Sequence, residues 1–156
     1  MDLKSFVIKR TLQSVDTLFN AVRKMPEDRV DWKPLDNGRS ALSMAQECAQ
    51  APLWGVSFLT ARKFEFDEER FAQTAQERAT WSLHDCERIC RVNTAKLIEV
   101  IEAFPDSDLD QTITLPFGGG KDFSFAELMN LHYWNTTYHI GQVNYIQTLY
   151  GDKEMH

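Results

Sequence analysis

Four long stretches of helical periodicity, each cut off by proline or glycine, constrain this chain most. From about Leu3 to Met25 the residues Leu12, Val15, Phe19 and Val22 recur at core spacing, and the pattern stops before Pro26, whose ring disfavours a helical residue ahead of it. The linker 26–39 carries Pro34 and Asn37-Gly38, which is turn chemistry. Ser40 suits the cap of a second helix that reaches about Lys63, with Pro52 inside it as a kink. Residues 64–80 are a mixed acidic and aromatic connection with no assignable structure. A third helix from about Ser82 to Phe104 points Cys86, Ile89, Leu97, Val100 and Phe104 inward and ends at Pro105. Thr112 to Gly120 reads as an extended stretch and a flexible glycine turn, consistent with a small β-hairpin. Ser124, followed by Glu127 at capping-box spacing, then opens a fourth helix that runs to Tyr150 and is closed by Gly151. Helices with one apolar stripe each are best buried against one another, so the expectation is an all-α, antiparallel four-helix bundle with sites between facing helices. At 156 residues it is read as one domain, 1–156.

Composition narrows the class of function. With 43% hydrophobic and 26% charged residues the chain reads as soluble and globular. The N-terminal segment lacks a basic region followed by an apolar core, and no uninterrupted apolar run approaches about 18 residues. A cytoplasmic protein without membrane spans is expected. A formal charge of -6 argues against a nucleic-acid surface, which needs a Lys/Arg stripe to release phosphate counterions. Cys48, Cys86 and Cys90 form no tight pair, which suits reduced thiols packed in the core rather than a disulfide or a thiolate metal site. No phosphate-binding glycine loop, Gly-x-Ser-x-Gly elbow or His-Glu-x-x-His helix is present. Gly118-Gly119-Gly120 sits outside a strand-to-helix context and reads as a mobile turn.

The last helix contains a short polar window inside an apolar pattern. At about 100° per residue, Asn135 and His139 are offset by about 40° and project from one face a turn apart. Leu128 and His132 precede them on that face, and Gln142, Val143 and Ile146 follow. A buried imidazole or amide without a partner costs about 1–3 kcal/mol, so a metal, a substrate, water or another side chain must satisfy this window. Glu47 is the best partner, because its face of the second helix otherwise carries Met44, Ala51, Trp54 and Phe58. A carboxylate is almost never buried unless it is paired or bound to a cation. Three readings stand open. Glu47, Asn135 and His139 share a divalent metal, or Glu47 is paired within the chain by His139, Tyr138 or Arg10, or the bundle turns Glu47 to the surface.

Ser40-Ala41-Leu42-Ser43-Met44-Ala45-Gln46-Glu47-Cys48-Ala49, the Trp32-Lys33-Pro34 linker and Asn135-Thr136-Thr137-Tyr138-His139-Ile140-Gly141-Gln142 resemble the DinB/YfiT-like superfamily of bacterial four-helix-bundle proteins. The likeness extends over nearly the whole chain, and the His139-Ile140-Gly141-Gln142 motif is its most specific part. The resemblance implies a divalent metal held by three histidines, one on the second helix and two on the last at i, i+4. Those positions hold Glu47, Asn135 and His139 here, so two of the three ligands depart from the pattern.

Oxygen ligands in place of two imidazoles make such a site harder, open to Zn, Ni, Mn or Fe but not to soft Cu(I), and weaker, so that it can also stand empty. Three protein ligands leave coordination positions for water and substrate, as in a catalytic centre. His132, Tyr138 and Gln142 are candidate supports that orient the ligands, with interhelical hydrogen bonding as the alternative role. No catalytic residue is assigned. Gly141 is read as permitting close approach of another helix. Trp54, Phe58, Trp81 and Trp134 are read as core, and His84 and His156 as solvent-exposed. The resemblance implies a divalent-metal-dependent hydrolase or thiol transferase. The alternative is a noncatalytic small-molecule-binding or stress-response protein that keeps the scaffold without the metal. A small-molecule partner and a homodimer are expected in either case. The metal reading predicts about one divalent ion per chain, lost in Glu47→Ala and His139→Ala.

Overall fold

A computed structural model of the chain describes residues 2–116, 119–154 and 156. The first helix, α1 (Leu3–Arg23), opens on Asp2, whose side chain accepts the Ser5 N–H. The second expected helix is split by Pro52 into α2 (Ala41–Gln50) and α3 (Pro52–Ala61). Ser40 caps α2 by accepting the Ser43 N–H, and Pro52 stands at the first position of α3, where no intrahelical donor is needed. Ala51 keeps helical dihedrals between them, so the break is a kink, and the pair crosses the molecule as one rod. At Gly55 an added Cβ would lie 2.8 Å from Leu97 Cδ1, so glycine sets how closely α3 approaches its neighbour.

The unassigned stretch after α3 contains a helix, α4 (Glu68–Ala79), capped by Asp67 and burying none of its residues. Then follow α5 (Leu83–Ala103), opened by a Ser82/Asp85 capping box, and a two-stranded antiparallel hairpin, β1 (Thr112–Leu115) with β2 (Lys121–Ser124). The strands pair Thr112 with Ser124 and Leu115 with Lys121. Gly119 and Gly120 take positive φ, the region glycine occupies without strain, while Phe117 and Gly118 of the expected turn lie outside the described residues. The last expected helix is also stepped. A Ser124/Glu127 capping box starts α6 (Phe125–Met129), and after Asn130 the chain continues as α7 (Leu131–Leu149). The expected bundle and hairpin are therefore present. Among the described residues no helix is long and apolar enough to cross a membrane.

The bundle pairs α1 with α7 and the α2–α3 rod with α5. Its interior has two apolar clusters. One gathers Val15, Leu18, Phe19, Val22, Met44, Cys48, Cys90 and Val143; the other gathers Val7, Phe58, Leu97, Ile101, Phe125 and Leu128. Between them along the helices runs a buried polar belt of Thr11, Ser14, Asn93, Thr94, His132 and Thr136. Asn93 Nδ2 donates to the Ala49 carbonyl at 2.9 Å, and Thr94 Oγ1 meets His132 Nε2 at 3.1 Å. All three cysteines are buried as free thiols, matching the core reading. Two expected core positions are corrected: Trp134 is 60% exposed and Leu12 46%, because the helices are rotated to turn the polar faces of α1 and α7 inward at the belt.

Candidate functional site

The structure brings Glu47, Asn135 and His139 together between α2 and α7. Glu47 Oε1 accepts from Asn135 Nδ2 at 3.0 Å and from His139 Nε2 at 3.0 Å. The other ring nitrogen, His139 Nδ1, meets Gln142 Oε1 at 2.7 Å, so the imidazole is clamped from both sides and 2% exposed. Cys48 directs its thiol to Asn135 Oδ1 at 3.5 Å, which turns the amide so that its NH2 faces Glu47. Burial pushes the Cys48 thiol well up, so it stays protonated and serves as a donor.

Arg39 completes the cluster and escaped the sequence reading. Its Nη1 lies 2.8 Å from Glu47 Oε2, and its Nη2 donates to the Ser43 carbonyl at 3.2 Å. The hydrogen bond from His139, with those of Asn135 and the Arg39 charge behind it, holds the Glu47 carboxyl far below the usual carboxylate range against the opposing effect of burial. Arg39 directly precedes the Ser40 cap, outside α2, so helical spacing gave no signal for it. Arg10, the partner considered for Glu47, instead donates to Tyr133 Oη at 2.8 Å.

The candidate supports separate into three roles. Gln142 lies against His139 Nδ1. Tyr138 is 53% exposed, sets its ring edge-on to His139 at 5.4 Å between centroids, and stacks on Trp134 at 5.6 Å. His132 belongs to the polar belt, bonded to Thr94, and burial pushes its pKa down to about 4, so it is a neutral structural imidazole. His84 is exposed, whereas His156 is partly buried and pairs with Asp152 at 2.8 Å.

As held, these residues do not make a complete metal-ligand set. Both Glu47 oxygens are occupied by donors, the Asn135 amide points its NH2 and not its oxygen inward, and Arg39 already places a positive charge where a cation would neutralise the carboxylate. Among the described residues no group of three or more His, Cys, Asp or Glu side chains could hold an ion.

Beside the cluster lies an open groove of about 350 Å³. Buried Met44 and Ile146 form its base, Tyr138 and Tyr145 flank it, and among the described residues Arg39 is its one charged lining residue. Gly141 also faces it. A Cβ on Gly141 would meet no heavy atom within 4 Å, which corrects the expectation of a close helix approach there. A glycine inside a helix costs about 0.5–1 kcal/mol relative to alanine, and no packing contact at Gly141 offsets that cost.

The chain is a four-helix bundle similar in fold to two solved bacterial structures. YfiT from Bacillus subtilis, described as a probable metal-dependent hydrolase with an unusual four-helix bundle topology, is similar with a TM-score of 0.75 at 14% identity, over 95% of this chain and 87% of that one. A DinB-like protein from the same organism, YjoA, is similar with a TM-score of 0.66 at 15% identity, over 96% and 95% of the two chains. No protein-family model and no curated protein sequence matches the chain, so the likeness is one of fold.

Proposed function

We propose that this chain is a small-molecule-binding protein in which Arg39 takes the part that a divalent cation would play at Glu47. The observation that carries the reading is the 2.8 Å Arg39–Glu47 ion pair at the centre of the cluster. A carboxylate drawn into a helix interface needs a positive partner, and a guanidinium offers it with directed donors and without coordination geometry. The half-exposed position of Arg39, at the edge of the groove, couples the buried cluster to the surface at which a ligand arrives.

One observation favours a second reading, a metal-dependent hydrolase or thiol transferase. Glu47 Oε1 lies 3.0 Å from both His139 Nε2 and the Asn135 amide, about the separation of neighbouring ligands around an ion with bonds near 2.1 Å. YfiT, similar in fold, is described as a probable metal-dependent hydrolase. Metal content decides between the two. Mass spectrometry on tag-free protein prepared without chelator, repeated after offering Zn, Ni, Mn and Fe(II), is expected to find no stoichiometric ion. About one ion per chain, lost in Glu47→Ala and His139→Ala, would establish the second reading instead.

A further inference from the structure

The geometry points to the groove between Tyr138 and Tyr145 as the binding site for a small, flat, aromatic carboxylate, with Arg39 receiving its anionic end and Gly141 keeping its floor open. The inference rests on the binding reading above and names its ligand class.

Three independent observations converge on that chemistry. The first is the lining. Tyr138 and Tyr145 stand 53% and 65% exposed over a base of Met44 and Ile146, so a planar apolar body gains aromatic contact on its faces and apolar contact beneath. The second is charge. Arg39 spends one donor on Glu47 and one on the Ser43 carbonyl, and a guanidinium carries five. Its remaining N–H groups suit a carboxylate, whose two oxygens match the fork of an arginine. Glu47 does not line the groove, and its oxygens are held by His139, Asn135 and Arg39, so the negative charge is turned away from an incoming anion. The third is Gly141. It is a helix-interior glycine with a negative φ and no neighbour at its Cβ position, so neither backbone conformation nor packing calls for it. A side chain there would project into the groove.

Cinnamate is a suitable probe because it is planar, aromatic and anionic, and cinnamamide has the same shape without the charge. Titration followed by amide NMR is expected to show saturable binding of cinnamate, with shifts centred on Tyr138, Gly141 and Tyr145. Affinity should fall by about tenfold for cinnamamide, and likewise for cinnamate with Arg39→Gln. Gly141→Leu should abolish binding and Gly141→Ala weaken it, both with thermal midpoints at or above that of the wild type. Absence of saturable binding, or equal affinity in the wild type and both Gly141 variants, would overturn the assignment. The titrations are run on metal-stripped protein and on the same preparations after metal loading. A stoichiometric ion would sink the metal-free reading while the Gly141 and Arg39 effects still judged the groove by themselves.

Discussion

At the scale of single residues, the Glu47 carboxylate is the centre on which the site depends. It accepts from three side chains on two segments, Asn135 and His139 of α7 and Arg39 ahead of α2. Glu47→Gln removes the ion pair with Arg39 and turns an amide NH2 towards donors on one side. It is expected to destabilise the fold by about 1–3 kcal/mol in urea unfolding, the range for leaving buried polar groups without their partners. Arg39→Gln, at a half-exposed position, should cost less, about 0.2–1 kcal/mol. Equal costs for the two variants would mean that the His139 and Asn135 bonds contribute nothing beyond the surface ion pair. Glu47, Asn135 and His139 were legible as neighbours because each is a polar residue on an otherwise apolar helical face. Arg39 was not, because a residue ahead of a cap has no helical phase from which to read its direction.

At the scale of elements, the contrast between α4 and the other helices explains what periodicity can find. The apolar stripes of α1 and α5 reflect burial, so their extents were readable to within a residue or two, whereas the last helix was read as unbroken from Ser124 to Tyr150. By contrast α4 buries nothing and is polar overall, with Phe71 its one large apolar residue, and a helix held by Asp67 capping and by contacts such as Arg78 Nη1 to Gln50 Oε1 at 3.2 Å offers periodicity little to find. Its ring contacts are correspondingly peripheral, with Phe71 42% exposed against Trp54 and Phe66. Phe71→Ala should therefore change stability by less than about 1 kcal/mol, whereas Phe125→Ala, fully enclosed and in contact with Phe104, should cost about 3–5 kcal/mol. A large loss at Phe71 would show that α4 is part of the cooperative core. The steps at Ala51 and Asn130 were half visible. Proline marked the first, but Asn130 keeps helical dihedrals and only its neighbours' hydrogen bonds reveal the break.

At the scale of the whole molecule, acid should unfold the bundle in two windows. His132 has its pKa lowered in the fold from 6.5 to about 4, so the unfolded chain binds a proton there first. Stability from this group is complete above pH about 6.5 and falls as the pH drops towards about 4, a loss on the order of 3 kcal/mol. Glu47 is also lowered, and its contribution is complete above its ordinary value of 4.5 and is lost only below that. Urea midpoints measured between pH 7 and pH 4 should decline in the wild type and stay flatter in His132→Asn. An identical decline in both proteins would remove His132 as the cause. The belt that contains His132 has a consequence for assembly as well. Sliding one helix by a turn of about 5.4 Å would press the Thr94 hydroxyl and the imidazole against methyl groups and leave Asn93 without the Ala49 carbonyl. The belt thus acts as a ruler. It penalises every misaligned stacking of the four rods, and the one alignment it favours delivers a glutamate from one rod and a histidine from another to the same point in space.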